Sequence, residues 1–267
     1  MERLGILAGV GKLPVECARA AKRKGYEVYA VALLPDTDPA IAQFATDFQK
    51  ISVVHLDAIL NYLTQNQIKY VTMIGKVTKE LLFNAAVMPD ARMLQLIMSL
   101  PDRSDDTIMM MFVRELAKAG IETFDQTKLI RSLMPGRGTI TKREPTSEER
   151  QDLEFAMRMA KELGRLDVGQ TVVVKNRAVI ALEAIEGTDA CVLRGGQLAG
   201  AGTVVAKVSK PKQDNRFDVP TVGYRTIECM VESGATALAI EADRTLLVER
   251  DSMTALAEEH NISIVSW

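Results

Sequence analysis

The sequence predicts an α/β protein of two domains: a Rossmann-like N-terminal domain with a parallel sheet, residues 1–132, and a mixed α+β C-terminal domain, residues 148–267. Three observations predict it. Over the first ~130 residues, short apolar runs alternate with segments of helical periodicity, the pattern of a parallel sheet with crossover helices. The stretch 133–147, LMPGRGTITKREPTS, breaks that rhythm with glycines, prolines and charges, and reads as a linker. Beyond it, apolar runs on either side of Asn176-Arg177 read as a β-hairpin, which a purely parallel sheet does not contain.

The elements follow in order. RLGILA (3–8) is a short apolar strand that runs into the turn GVGKLP. A helix comes next, with Leu13, Cys17, Ala20 and Ala21 near one face. YEVYAVALL (26–34), YVTMIG (70–75) and IETF (121–124) are further strands, and helical patterns occupy 56–63, 93–100 and 107–119. Ser104 before Asp105-Asp106 marks a helix start, with acids complementing the helix dipole. In the second half Leu153, Ala156, Met157, Ala160 and Leu163 recur at helical spacing. Ser147 is the expected N-cap there, with Arg150 rather than Glu three residues on, so the capping box is incomplete. QTVVVKN and AVIALEAI are the hairpin arms, and 202–209 is a strand. A helix at 226–233, strands at 235–242 and 245–249, a helix at 252–260 and a closing strand ISIVSW complete the chain.

Composition bounds the function. A chain of 267 residues with 47% hydrophobic and 25% charged residues buries a sizeable core. A net charge of -2 offers no basic excess for a nucleic-acid partner. No apolar run reaches the roughly 18 residues of a membrane span, and MERLGILAGV is not a signal peptide. Three well-separated cysteines, Cys17, Cys191 and Cys229, suggest reduced thiols and a cytoplasmic location. Two histidines, His55 and His260, are too few for a multi-histidine zinc or di-iron site.

Three motifs carry chemistry. Gly9 and Gly11 follow a strand and precede a helix, where backbone amides can approach a phosphate or carboxylate; a tight strand-to-helix turn is the plainer reading. The dinucleotide fingerprint is incomplete, because its third glycine position is Pro14 and Asp36 lies beyond Leu34-Pro35 in a loop. EAIEGTDA places Glu183 and Glu186 near a strand end and Thr188 and Asp189 beyond Gly187, either as site residues or as a turn in which Thr188 or Asp189 caps the next segment. KPKQDNRFDVP (210–220) sets Lys210, Lys212 and Arg216 among Asp214 and Asp218, between two prolines that keep the preceding residues extended. It is either a solvated charge run or a phosphoryl-transfer segment, with carboxylates for a hard cation and basic groups for phosphate oxygens.

LGILAGVGKLPVECARAAKRKGYEVYAVAL, LDVGQTVVVKNRAVIALEAIEGTDACVLRGG and KPKQDNRFDVPTVGYRTIE together resemble the UDP-2,3-diacylglucosamine diphosphatases of lipid A biosynthesis. The resemblance is to the two-domain LpxI type, not the metallophosphoesterase type, and runs from Leu4 to Trp267. AGVG stands where a glycine run is expected, and RSDD where the family tends to have Gly-Asp-Asp. The resemblance implies hydrolysis of the substrate diphosphate to UMP and 2,3-diacylglucosamine 1-phosphate. It implies water attack on the α-phosphorus, a divalent cation (Mg²⁺ or Mn²⁺), ligand held between two domains, and a homodimer. A cytoplasmic location with peripheral contact at the inner membrane for lipid delivery goes with it. On that footing Asp214, Asp218 and Arg216 are the catalytic candidates. Asp214, Asp218, Glu183, Glu186 and Asp189 are the candidate metal ligands. Gly9, Gly11, Lys12, Lys210, Lys212, Thr188 and Gln213 are the candidate substrate contacts. The rival readings are a non-catalytic nucleotide-sugar or lipid sensor, which would bind without turnover, and an NAD-dependent oxidoreductase, which lacks its third glycine here.

Overall fold

The structure, a computed structural model, describes residues 2–77, 88–102, 104–211, 213–216 and 218–267. It forms two compact units: Met1–Ile130 with Asn215–Phe217, and Arg131–Asp214 with Asp218–Trp267.

The first unit contains β1 (Arg3–Ala8), α1 (Leu13–Arg23), β2 (Glu27–Ala32), β3 (Asp47–Lys50), α2 (Leu56–Gln65), β4 (Tyr70–Ile74), α3 (Ala91–Ser99), α4 (Asp105–Lys118), β5 (Glu122–Thr123) and α5 (Thr127–Ile130). Its sheet is parallel throughout, in the order β3-β2-β1-β4-β5, the strand order of a Rossmann fold. The central strands are apolar runs buried on both faces, as parallel strands covered by helices must be. Strand β3 went unforeseen because DFQK is polar; it lies at the sheet edge, where its residues are half-buried or exposed. Ser104 does cap α4, its hydroxyl accepting the Thr107 N–H at 3.2 Å.

The second unit contains β6 (Gly138–Thr139), α6 (Ser147–Arg165), β7 (Thr171–Lys175), β8 (Ala178–Leu182), α7 (Thr188–Ala199), β9 (Val204–Lys207), β10 (Thr221–Val222), α8 (Tyr224–Ser233), β11 (Ala237–Ile240), β12 (Leu246–Leu247), α9 (Arg250–Glu259) and β13 (Ser263–Ser266). Six of these strands make a mixed sheet, β6-β13-β11-β9-β7-β8. Alternate residues of β7 face opposite layers. Val172 and Val174 pack with Leu153, Ala156 and Ala160 of α6, and Val173 packs with Cys191, Ile227 and Met253 of α7, α8 and α9. The predicted hairpin is present, with Asn176 and Arg177 both at positive φ (53° and 58°), as a two-residue type I′ turn requires. The buried Asp152 carboxylate accepts both turn amides, at 2.8 and 2.7 Å.

Several details differ from expectation. The N-cap of α6 is Thr146, not Ser147, and from that position Glu149 completes a capping box. Within 133–147, β6 pairs antiparallel with β13, and Arg143 binds Glu149 bidentately while donating to the Thr236 and Asn261 carbonyls. The apolar run at 245–249 contributes β12, which pairs with β10 in a separate two-stranded ladder rather than the main sheet. Among the described residues, no helix is long and apolar enough to cross a membrane. All three cysteines are buried free thiols.

Candidate functional site

Strand direction gathers the chemistry at one end of the second sheet. β9, β11 and β13 are parallel, β7 runs against β9, and β8 runs against β7. The carboxyl ends of β8 and β9 therefore lie together, beside the start of β7 and the first turn of α7. This is the end at which α/β sheets bind ligands. Glu183 follows β8, Lys207 ends β9 opposite Thr171, and the 210–220 loop departs from β9 at the same end.

A buried lysine sits at the centre. Lys207 is 7% exposed; its Nζ donates to Thr188 Oγ1 and to the Thr221 carbonyl, both at 2.9 Å. Thr188 Oγ1 in turn donates to Glu183 Oε1 at 3.1 Å and lies 3.2 Å from Thr171 Oγ1. Glu183 Oε2 accepts the Gln170 N–H at 3.3 Å, and Asp189 Oδ1 accepts the Thr226 hydroxyl at 3.3 Å. Burial pushes the Lys207 ammonium below the ordinary lysine range, while the charges of Glu183, Asp189 and Asp218 pull it back up. Thr188 and Asp189 do not cap α7. The cap position is Gly187, at φ 81° and ψ 171°, a backbone conformation reserved for glycine, with no side-chain cap bond. That turn aims the Thr188 hydroxyl at Lys207 and Glu183.

The other nominated residues are placed as follows. Glu186 is turned toward its own segment: its carboxylate takes backbone hydrogen bonds, including the Ala184 N–H at 3.0 Å, and pairs with Arg194 at 2.5 Å. These contacts hold it below the usual carboxylate range. In the loop, Gln213 Oε1 accepts from Ser209 Oγ and Lys210 N, each at 2.9 Å, so this side chain shapes the loop. The Asp214 carbonyl accepts the Asp218 N–H at 2.9 Å, which hangs both carboxylates from one turn. Lys210 Nζ donates to Asp167 at 2.8 Å. Arg216 Nη2 lies 3.8 Å from Met110 Sδ. Lys212 is outside the described residues.

In the first unit, Gly9 has a packing reason: a Cβ there would lie 2.6 Å from the Lys76 carbonyl oxygen. Gly11 has φ 106°, and Lys12 pairs with Asp38 at 2.8 Å. The Lys12 hydrogen bond, with one from the Ala40 amide, holds Asp38 below the usual carboxylate range.

Among the described residues, no three His, Cys, Asp or Glu side chains form a group able to hold a metal ion. Mg²⁺ does not need such a cage: one or two carboxylates suffice when phosphate oxygens and water complete its octahedron. Asp214 and Asp218, joined through one backbone turn, supply two carboxylates, the number that this smaller requirement names. Glu186, engaged with Arg194, fits it poorly.

Lys207, Thr171 and Thr221 were missed in the sequence. The available signal was a lysine closing an apolar strand, VVAK, just before the polar loop.

Two family models between them match most of this chain. A family model described as the LpxI N-terminal domain matches residues 3–133, and one described as the LpxI C-terminal domain matches 136–265. A relative from Caulobacter vibrioides, named UDP-2,3-diacylglucosamine pyrophosphatase LpxI, is 31% identical over 276 residues, covering 99% of this chain and 97% of that one. Among solved structures, an ADP complex of N5-carboxyaminoimidazole ribonucleotide synthetase is 18% identical with a TM-score of 0.30, covering 65% of this chain and 32% of that one. The biotin carboxylase subunit of a pyruvate carboxylase is 14% identical with a TM-score of 0.29, covering 65% and 35%. This chain thus spans about a third of those structures.

Proposed function

The chain belongs to the LpxI family, and from that premise we propose that it hydrolyses UDP-2,3-diacylglucosamine to UMP and 2,3-diacylglucosamine 1-phosphate, a step of lipid A biosynthesis. The observation that carries the reading is the likeness, over nearly the whole chain, to a relative with that name. The carboxylates and cations at the carboxyl end of the second sheet support it, because a diphosphate and a hard cation call for that composition.

Asp214 and Asp218 would hold a divalent cation, Mg²⁺ or Mn²⁺, which would neutralise charge on the diphosphate oxygens. The loop cations Lys210 and Arg216 bind phosphate oxygens, and the free amides at the start of α7 add a positive end. A water oxygen bonds to the α-phosphorus while the bond from that phosphorus to the bridging oxygen breaks. The bridging oxygen leaves on the sugar 1-phosphate, and a loop carboxylate takes the water proton. Attack at the α rather than the β position rests on the family resemblance.

The test is turnover in ¹⁸O-labelled water with Mg²⁺ or Mn²⁺, before and after treatment with EDTA. The expected result is label in UMP and metal-dependent activity. Label in the lipid 1-phosphate would place attack on the β-phosphorus. Tight binding without turnover would make the protein a sensor.

A further inference from the structure

We propose that Lys207 is a positioning residue of this site: a resident cation that engages the Thr188–Glu183 pair and faces Asp189 and Asp218, so that Glu183 and Asp189 serve the lysine and not a divalent ion. The inference rests on the hydrolase reading only for the reaction it serves.

Its geometric basis is independent of that reading. Lys207 closes a strand with a neighbour on each side, paired in register with Thr171 of β7 and Ile240 of β11, which fixes its backbone. Just beyond it the ladder continues, with Val208 N–H donating to the Gln170 carbonyl at 3.0 Å. Its Nζ already has two short partners, in Thr188 and Thr221. Glu183 is fixed just as firmly. Its N–H donates to the Thr171 carbonyl at 2.9 Å, and Gly169 lies so close that a Cβ there would strike the Glu183 carbonyl. Glu183 takes the Thr188 hydroxyl and the Gln170 amide, and Asp189 takes the Thr226 hydroxyl. A buried polar group held by such hydrogen bonds is rigid. A fixed ammonium among these carboxylates supplies charge that a metal would otherwise supply. It also repels a divalent ion nearby, leaving the Asp214–Asp218 turn as the place for one.

The experiment titrates Mn²⁺ into the full-length protein, with and without UMP, following the free-ion signal by electron paramagnetic resonance; turnover is measured separately. Removing one positive charge several ångströms from a dication, at an effective dielectric of about 20, tightens binding by about tenfold or more. Lys207→Met should therefore bind Mn²⁺ at least about tenfold tighter and yet turn over about 100-fold more slowly or worse, a pairing that simple disruption does not produce. Lys207→Arg keeps the charge and should hold Mn²⁺ affinity within about threefold of the parent. Glu183→Gln removes one charge of the opposite sign from the same group and should weaken Mn²⁺ by about tenfold, whereas loss of a true ligand costs about 100-fold or more.

Unchanged or weaker Mn²⁺ binding in a folded Lys207→Met, or a loss of about 100-fold or more in Glu183→Gln, overturns the proposal. If Lys207→Met does not fold, the Lys207→Arg and Glu183→Gln titrations decide. Protein that hydrolyses no lipid substrate but passes the Mn²⁺ tests would refute the hydrolase reading and leave the Lys207 assignment standing. Normal turnover with failed Mn²⁺ tests would do the reverse.

Discussion

Replacing Thr188 by valine keeps the side-chain shape and removes one oxygen. That oxygen accepts from Lys207 at 2.9 Å, donates to Glu183 at 3.1 Å and lies 3.2 Å from Thr171 Oγ1. Hydrogen bonds to charged groups contribute about 1.5–3 kcal/mol each. Lys207 would keep the Thr221 carbonyl and Glu183 the Gln170 amide, so the low end of the sum applies, about 3 kcal/mol. That is a large part of the roughly 5–15 kcal/mol that stabilises a domain. Trp267, the only tryptophan of the chain, packs against the α6 side of the second sheet, so its fluorescence follows the second unit during urea unfolding. With a slope near 2 kcal/mol/M, Thr188→Val should lower the midpoint by about 1.5 M. Thr188→Ser, which keeps the oxygen, should stay within about 1 kcal/mol of the parent. A Thr188→Val midpoint equal to that of the parent would refute the idea that this hydroxyl joins Lys207 to Glu183.

Asp214→Ala or Asp218→Ala should reduce kcat by roughly 100-fold, the scale of losing a preorganised electrostatic group, while substrate binding survives better; normal kcat in both variants would remove the loop from the chemistry. Glu115 is 3% exposed and pairs with Arg92 at 2.7 Å and Lys118 at 2.6 Å. Burial pushes its carboxyl up, but Lys118 and Arg92 outweigh that and hold it below the usual range. Its stabilising contribution is therefore present above the unfolded carboxyl value of about 4.3 and is lost as pH falls through the folded value. Because both cations are partly exposed, Glu115→Gln should cost only about 1 kcal/mol near pH 7. Thermal melts should show the gap between variant and parent closing below about pH 4; a gap independent of pH would contradict the charge argument.

Local regularities were legible where the physics is local. The apolar runs of β1, β2 and β4, the helical spacing of α6 and the Asn176-Arg177 turn each declare themselves within a few residues, because backbone geometry and side-chain period are set by near neighbours. The alternation of such elements predicts the parallel first sheet, and the three long motifs carry the family. Features at the margin of local signal were displaced or lost. The cap of α6 stands one residue earlier, at Thr146, and β3 is a polar edge strand held by its neighbour β2.

The inner site was legible only in part, for a different reason. Residue types alone nominated Glu183, Thr188, Asp189 and Asp218, since carboxylates and hydroxyls near strand ends suggest chemistry. They did not point to Lys207, a lysine at the end of an apolar strand. Nor did they separate Glu186, which turns back to Arg194, from Glu183, which serves Thr188. Those distinctions come from the register of β7 against β9 and of β8 against β7, which brings Thr171, Glu183 and Lys207 to one end of the sheet. The sequence by itself determined which elements form and in what order. Only the tertiary structure decided which charge meets which, because that depends on contacts between residues far apart in the chain, made where water has been excluded and each pairing is strong.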